Sequence, residues 1–282
     1  MSETPAERLM RAEMRVAYGP IPRTALGEPL AEASWRLLGD EFLLRGEGEH
    51  YFHYRKGAGV TVERGRGADI DEESLWLNGS VYAAVASLNG LLPIHASAVA
   101  ANGRVFAFTA PAGGGKSTLV AALGKHGLPM FCDDTLVLDL ADPDRIVCLP
   151  GHKRLKLRPD ALALTAARPQ EAVSKTFDKI YAVPAGGDVR AALPLAELVF
   201  LEPGEEPAIL AISGAERFVR TGDDHYTSWL FAGAQCLDRQ AQFEHRARLA
   251  RQIAMVRFVR PFDPSRFDEG IALIAEYVSN RP

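Results

Sequence analysis

One segment carries most of the information in this chain: Ala110-Pro111-Ala112-Gly113-Gly114-Gly115-Lys116-Ser117-Thr118. It follows an apolar run, Val105-Phe106-Ala107-Phe108, and it opens a run of helical character over 119–126. A strand, a glycine-rich loop, Lys-Ser-Thr and a helix, in that order, are typical of a P-loop, where backbone N–H groups and a helix N-terminus bind phosphate. We therefore predict that this segment binds a nucleoside triphosphate, with Lys116 at the β- and γ-phosphates and Ser117 on Mg²⁺.

The segment departs from the usual P-loop at one position, because Ala110 stands where the first glycine is expected. A flexible turn between a strand and a helix would explain the glycines alone. It would not explain Lys116 at a helix start, where the helix dipole disfavours a positive charge. The phosphate-binding interpretation is therefore favoured.

Composition limits the class of protein. The chain has 282 residues, 47% of them hydrophobic, which is enough for a core in one large or two modest domains. The formal net charge of -4 provides no general positive field, so we predict no nucleic-acid partner. Cys132, Cys148 and Cys236 are too scattered for a metal site or a disulfide framework, which is typical of a reducing compartment. Since residues 1–15 lack an apolar signal and no apolar run reaches membrane-spanning length, we expect a cytoplasmic protein without a membrane partner.

Local patterns divide the chain near residue 90. Residues 1–90 are predicted to form a small α+β region, with strand-like pieces over 33–46, 51–55 and 60–64 and a helix over 74–92 that Asp71 or Ser74 caps. Residues 91–282 are predicted to form an α/β P-loop domain that begins with strands over 94–100 and 105–109. Asn102-Gly103 between these two strands is a strong hairpin signal.

The later elements follow from the same patterns. Gly127 is expected to end the P-loop helix. Ser265 and Asp268 are expected to cap the last helix as a pair. We predict strands over 130–140, 146–149, 153–158, 196–201 and 256–260, and helices over 160–167, 238–255 and 266–278.

A pair of carboxylates, Asp133-Asp134, interrupts the predicted strand over 130–140. A strand that follows a P-loop helix lies close to the loop, so the pair is expected near the γ-phosphate. One carboxylate could hold Mg²⁺ while the other accepts a proton from an attacking hydroxyl. The alternative is a turn with a capping Asp, but the apolar pattern resumes at once in Thr135-Leu136-Val137-Leu138, which favours a strand that carries the pair.

Three further features contain residues able to do chemistry. His95 lies in an apolar strand, where a buried, hydrogen-bonded histidine is the common explanation and tuning by a nearby carboxylate is the functional one. Arg154, Lys156 and Arg158 alternate with leucines, so they form a basic stripe that could bind phosphate or simply face solvent. The cluster Asp223-Asp224-His225 is a candidate metal site, although a solvated turn explains it more simply.

Together these features resemble the HPr kinase/phosphorylase family in its broad sense of HPr-kinase-like serine kinases. The resemblance extends over about 91–140, and residues 151–162 and the C-terminal helix-strand-helix resemble, more loosely, short stand-alone relatives in bacterial biosynthetic clusters. The residues that carry it are Ile94-His95-Ala96-Ser97-Ala98-Val99, Gly103, Gly115-Lys116-Ser117-Thr118-Leu119, Gly127 and Asp133-Asp134.

The resemblance implies a P-loop domain of the phosphoenolpyruvate-carboxykinase type that transfers phosphate from ATP to a serine of a peptide or protein. The large N-terminal domain of the full-length enzymes is not recognisable in this sequence. Asp133 matches the catalytic Asp of the family, Asp134 its acidic neighbour, and His95 the histidine that orients the catalytic carboxylate. Mg²⁺ would be held by Ser117 with Asp134 nearby, and Lys116, with Arg154, would offset charge on the transferred group. The resemblance also implies a homo-oligomer and favours a ribosomally made substrate such as a lasso-peptide precursor.

Two departures from the family pattern limit what is carried over. Thr118 follows the loop serine where the bifunctional enzymes have Glu, and Lys153-Arg154-Leu155-Lys156-Leu157 stands in the region of their second signature. Reverse phosphorylase activity and HPr as substrate are therefore not expected. The alternatives are a kinase for a small-molecule hydroxyl and a non-catalytic, nucleotide-switched regulator, in which residues 174–185 and 220–231 would be partner surfaces.

Overall fold

The residues that the structure describes form a mixed α/β fold built on three β-sheets. The structure is a computed structural model that describes residues 3–22, 27–165, 167–174, 178–222, 225–234 and 236–281. Within those ranges no helix combines the length and the apolar character that crossing a bilayer requires.

The first sheet belongs to the N-terminal region and has the strand order β1-β5-β4-β3-β2. Its pairs are antiparallel except for the parallel pair β1 and β5. The strand-like piece predicted over 33–46 is two strands, because the chain turns at Gly39, which has a φ of 58°. The sheet follows helix α1 (Pro5–Glu13) and comprises β1 (Val16–Tyr18), β2 (Ser34–Leu38), β3 (Glu41–Arg45), β4 (His50–Arg55) and β5 (Gly59–Arg64).

A helical segment links this sheet to the rest of the chain. It runs as α2 (Ile70–Trp76), a π-helical turn (Leu77–Val81) and α3 (Tyr82–Leu88). The segment starts four residues before the predicted helix, so Asp71 and Ser74 lie inside it and the predicted cap is wrong. Its Val85 shares one core with residues on both sides of residue 90, which include Phe52, Val62, Val137 and Leu149 of strands and Leu230 of a later helix.

The central sheet has the order β6-β10-β11-β15-β8-β7-β9, and β17 and β16 extend it beside β15. Its middle is parallel, since β15 pairs in parallel with both β8 and β17. A small third sheet has the order β12-β14-β13. The strands are β6 (Leu92–Ile94), β7 (Ala96–Ala101), β8 (Arg104–Thr109), β9 (Met130–Cys132), β10 (Leu136–Asp139), β11 (Val147–Leu149), β12 (Leu155–Leu157), β13 (Arg168–Ala172), β14 (Ile180–Val183), β15 (Leu193–Pro203), β16 (Ala208–Ala211) and β17 (Ala254–Arg260).

Helices cover both faces of the central sheet. Phe106 and Phe108 of β8 contact the core under α4 and α9, whereas Val105 and Ala107 belong to the core under α8, as the two-residue period of a strand requires. The helices of this part are α4 (Lys116–Leu123), a 3₁₀ turn (Gly124–His126), α5 (Pro159–Leu164), α6 (Ala215–Arg220), α7 (Tyr226–Gly233), α8 (Arg239–Gln252), a second 3₁₀ turn (Pro264–Arg266) and α9 (Phe267–Ser279).

Turn and cap predictions have mixed outcomes. The hairpin between β7 and β8 is confirmed, with Asn102 at a φ of 50° and Gly103 at 71°, as a tight hairpin turn needs. Gly127 ends the P-loop helix in the left-handed conformation, as predicted. The predicted pair Ser265 and Asp268 is wrong, because Asp263 accepts a hydrogen bond from the backbone of Ser265 and caps the 3₁₀ turn that precedes α9.

The predicted continuous strand over 130–140 is also wrong. β9 ends at Cys132 and pairs with β7, whereas β10 begins at Leu136 and pairs with β6 and β11. Asp133 and Asp134 form the corner between them, and Asp134 has a φ of 71°. Aspartate tolerates this left-handed conformation better than most residues, so Asp134 can stand at the corner. The apolar residues on both sides continue the strand pattern, so this pattern gives no sign of the corner.

Candidate active site

The glycine-rich loop has a backbone that only glycine accommodates. Gly113 and Gly115 have φ angles of 79° and 78°. A Cβ added at Gly114 would lie 2.6 Å from the Cβ of Ala110, so the alanine at the usual first-glycine position makes this glycine necessary. The glycines therefore let the chain make a tight turn directly in front of α4, and such a turn at a helix N-terminus is typical of an anion site.

Lys116 closes the loop from inside. Its ammonium donates hydrogen bonds to the carbonyl oxygens of Ala110, at 2.8 Å, and Pro111, at 3.3 Å, and the residue is buried. A buried cation at the positive end of a helix is costly unless an anion is nearby. Lys116 is thus placed to exchange carbonyl partners for phosphate oxygens.

Ser117 and Asp133 form a hydrogen-bonded pair directly beneath the loop. The Ser117 hydroxyl donates to Oδ1 of Asp133 at 2.7 Å, and the Ser97 hydroxyl of β7 donates to the same oxygen at 2.6 Å. Oδ2 accepts the backbone N–H of Lys156 at 3.1 Å. Only 1% of Asp133 is exposed, so three donors hold a buried carboxylate in one orientation.

The pair formed by Ser117 and Asp133 fits the protein share of a magnesium site. Mg²⁺ in nucleotide enzymes uses one or two protein oxygens together with phosphates and waters. A cage of side chains is not needed, and the described part of the chain has no group of three or more His, Cys, Asp or Glu that could hold a metal alone. A hydroxyl bonded to a carboxylate at the start of the P-loop helix supplies the expected oxygens.

Asp134 faces the pocket instead of the protein interior. Its Oδ2 accepts a hydrogen bond from the Lys156 ammonium at 2.8 Å and lies 3.5 Å from the Tyr226 hydroxyl. Burial alone would raise the pKa of the Asp134 carboxyl, but the nearby ammonium of Lys156 and the other positive groups lower it well below its usual range. Asp134 is therefore a charged carboxylate that a ligand can reach.

His95 contacts Asp134 and not Asp133, contrary to the pairing that the family resemblance implies. Its Nδ1 lies 2.9 Å from the backbone oxygen of Asp134 and 3.6 Å from Oδ1. Burial, with the charge of Lys116, lowers the pKa of His95 to about 4, so the ring is neutral near pH 7. A carbonyl only accepts hydrogen bonds, so Nδ1 carries the proton and Nε2 remains an acceptor.

The N-terminal helical segment supplies one wall beside Asp134. A Cβ added at Gly79, within the π-helical turn, would lie 3.4 Å from Oδ2 of Asp134. The Tyr226 hydroxyl also bonds to Thr135 at 2.7 Å, and burial followed by the charge of Asp134 raises the pKa of Tyr226 well above its usual value. The site is thus built across the predicted boundary near residue 90. π-turns are rare, and many occur at functional sites.

The basic stripe is divided between two environments. Leu155 and Leu157 are buried, which confirms the predicted alternation, and Lys156 and Arg158 line the pocket. The structure does not bring Arg154 there. Its guanidinium bonds to Gln170 at 3.0 Å and to Glu171, and it stacks 3.8 Å from the centre of the Tyr181 ring.

Arg260 is the main site residue that sequence reasoning missed. It ends β17, donates to the carbonyl of Gly114 at 2.9 Å, and is 8% exposed. Within the described residues its Nε has no hydrogen-bond partner and no carboxylate lies within ion-pair distance, and burial lowers the pKa of Arg260. An Arg that ends an apolar strand, directly before Pro261, was the signal that could have found it.

The pocket that unites these residues has a volume of about 370 Å³. Five cationic side chains line it against three carboxylates, so its charge suits a polyanion. The charged residues are Lys116, Lys156, Arg158, Lys179, Arg260, Asp134, Asp160 and Asp263.

The predicted cluster Asp223-Asp224-His225 is only partly visible, because Asp223 and Asp224 lie outside the described residues. The His225 ring lies 4.8 Å from the His95 ring. The two segments that the regulator alternative assigns to partners, 174–185 and 220–231, likewise include residues outside the described ranges. Of the cysteines, Cys132 and Cys148 are buried and Cys236 is exposed, and all three are free thiols.

Comparison with known proteins identifies no family for this chain. No protein-family profile matches it, and no curated protein matches its sequence. Among solved structures, that of the Hpr(Ser) kinase/phosphatase from Coxiella burnetii is a distant structural neighbour, with a TM-score of 0.36 and 14% identity over 67% of this chain and 88% of that chain. A likeness at this level carries no conclusion about activity, so the proposals for this chain rest on its own residues.

Proposed function

We propose that this protein is a P-loop kinase that transfers the γ-phosphoryl group of ATP to a serine hydroxyl of a peptide or protein. The observation that carries the proposal is one cationic pocket that is lined by the glycine-rich loop, by Ser117, whose hydroxyl is bonded to the buried Asp133, and by Asp134 and His95. A nucleotide switch needs the first two features. It has little use for a charged carboxylate that a ligand can reach beside a neutral histidine.

The loop and its neighbours would bind the triphosphate. Free backbone N–H groups of the glycine-rich loop, with Lys116 and Arg260, would surround the β- and γ-phosphates. Ser117, oriented by Asp133, would hold Mg²⁺, which would neutralise phosphate charge. The other cations, Lys156 and Arg158, would stabilise charge on the group in transfer, and such electrostatic positioning supplies most of the rate in phosphoryl transfer.

The geometry supports an exchange of the roles that the resemblance implied for the two aspartates. Asp133 is buried behind Ser117, and both of its oxygens accept hydrogen bonds from protein donors, so a substrate hydroxyl in the pocket cannot reach it. Asp134 lines the pocket. We therefore assign Asp134 as the proton acceptor, with His95 as the residue that positions it, and Asp133 as the carboxylate that orients the Ser117 hydroxyl toward Mg²⁺.

In the proposed reaction one bond to phosphorus forms, one breaks, and one proton is transferred. The serine oxygen forms a bond to the γ-phosphorus while the bond from that phosphorus to the β,γ-bridging oxygen breaks, which releases ADP. The serine proton passes to the Asp134 carboxylate and then to solvent. The Lys156 ammonium, 2.8 Å from Oδ2 of Asp134, would keep that carboxylate ionised before the step. During the step the same ammonium would stabilise negative charge on the phosphoryl group.

The resemblance over 91–140 suggests a serine acceptor, and the looser resemblance to short stand-alone relatives suggests that this serine belongs to a ribosomally made peptide such as a lasso-peptide precursor. The test is incubation with ATP and Mg²⁺, followed by mass spectrometry, with candidate precursor peptides, their Ser→Ala counterparts and a set of hydroxylated metabolites. Phosphate on the serine peptide alone is the expected result. Phosphate on a metabolite would support the small-molecule alternative, and ATP binding without transfer to any acceptor would support the regulator.

A further inference from the structure

The pocket is lined by residues of two chemical kinds. His95, Asp134 and Lys156 form the polar cluster assigned to phosphoryl transfer. The lining also includes apolar residues from two separate elements, Ala161 and Leu164 of α5 and the segment that includes Phe262 and Phe267. With the γ-phosphate of a bound triphosphate toward Asp134, the rest of the nucleotide is left to the lining outside the polar cluster.

Phe262 is the exceptional residue there. Its side chain lines the pocket and yet is 61% exposed. One exposed aromatic needs no explanation by itself. Here, however, the ring lines the same cavity as the glycine-rich loop and as the apolar residues Ala161 and Leu164, so a ligand that extends from the loop can meet its exposed face.

The segment that carries Phe262 is well fixed. Pro261 and Pro264 flank it, and Oδ1 of Asp263 accepts hydrogen bonds from the backbone and the hydroxyl of Ser265, at 2.8 and 2.7 Å. The guanidinium of Arg260 lies 5.2 Å from the centre of the Phe262 ring. Arg260 thereby joins the ring to Gly114 of the loop, to which it donates a hydrogen bond.

We propose that Phe262 is the stacking platform for the nucleobase, with Ala161 and Leu164 as the facing wall. The inference rests on the proposed function, since it takes the triphosphate to lie on the loop around Lys116. An aromatic ring stacks on the π-face of any base, so this subsite supplies affinity for a nucleotide over a bare polyphosphate. The subsite would bind the base, which is the part of ATP that the glycine-rich loop does not contact.

The test compares two probes by calorimetry in the presence of Mg²⁺, namely ATP and inorganic tripolyphosphate, on the full chain. Phe262→Ala is expected to weaken ATP binding roughly 5- to 100-fold, the range that loss of one base–aromatic stack gives. Tripolyphosphate binding is expected to stay within about twofold, because it has no base to stack. Phe262→Trp, which keeps an aromatic face, is expected to bind ATP nearly as the wild type does.

A matched control is Phe243→Ala, since Phe243 lies on α8 and is 57% exposed. It should change neither affinity. The inference is overturned if Phe262→Ala binds ATP as the wild type does, or if it weakens both probes equally. These results differ from failure of the proposed function, in which the wild type binds neither probe, and that outcome would overturn both.

Discussion

The hydroxyl of Ser117 donates a 2.7 Å hydrogen bond to Oδ1 of Asp133, which joins the first turn of the P-loop helix to the corner between β9 and β10. Ser97 of β7 donates to the same oxygen, so three elements converge on one buried carboxylate. Leaving the buried Asp133 carboxylate without hydrogen-bond donors would be costly. The three donors to Asp133 therefore favour the arrangement that keeps these elements together. The same bond supports a role for Asp133 beside the proposed Mg²⁺ ligand Ser117, and a role for Asp134 as proton acceptor.

The assignment of Asp134 as proton acceptor predicts a selective loss of turnover. Asp134→Asn should lower the turnover number by about 10²- to 10⁴-fold, the usual contribution of a general base, while ATP binding is retained. Steady-state kinetics and calorimetry measure the two quantities. Asp133→Asn is the comparison, and it should instead raise the Mg²⁺ concentration needed for half-maximal activity. If Asp134→Asn turns over normally, the assignment of the two aspartates is wrong.

Arg260 and Arg154 should respond very differently to truncation. Arg260→Ala removes a buried guanidinium at the loop, and loss of a charged hydrogen bond to phosphate costs about 1.5–3 kcal/mol, or at least tenfold in tripolyphosphate affinity. Arg154→Ala should leave that affinity unchanged, since its side chain binds Gln170 and Glu171. Calorimetry on both variants, with thermal melts to check folding, tests this. An equal loss of tripolyphosphate affinity in Arg154→Ala would mean that Arg154 also contributes to phosphate binding.

The loop glycines predict a steric effect at Gly114. A methyl group there would lie 2.6 Å from the Cβ of Ala110 and 3.0 Å from the oxygen of Pro111, so Gly114→Ala must displace the loop. We expect a stability loss of about 1–3 kcal/mol and at least tenfold weaker ATP binding. Gly233→Ala at the end of α7 is the matched control, because an added Cβ there meets nothing within 4 Å. Normal ATP affinity in Gly114→Ala would contradict the tight loop.

Buried histidine predicts a loss of stability in acid. Burial lowers the pKa of His95 from the ordinary 6.5 to about 4, so between these values the unfolded chain binds more protons than the folded one. Stability therefore falls as the pH drops through this window, by up to about 2 kcal/mol for one such imidazole between pH 7.5 and 5. Urea unfolding at the two pH values should show a smaller drop for His95→Gln. An equal drop would mean that His95 is not kept neutral.

Local sequence patterns predicted the elements more reliably than their connections. The apolar run over 105–108 predicted a strand, and Asn102-Gly103 predicted its hairpin, because both signals depend on neighbouring residues. The corner at Asp133 and Asp134 was missed because apolar residues on both sides continue the strand pattern. The partners of β9 and β10 lie far away in the chain, and no local period records them.

For this protein, the sequence by itself determined the glycine-rich loop before α4. Its glycines, Lys116 and Ser117 are adjacent, and their conformational and chemical requirements are local. Tertiary structure decided which charged groups meet that loop. It brought Arg260 in from β17, turned Arg154 outward to Glu171, and set His95 against Asp134, since side-chain partners depend on which strands pair and which faces pack.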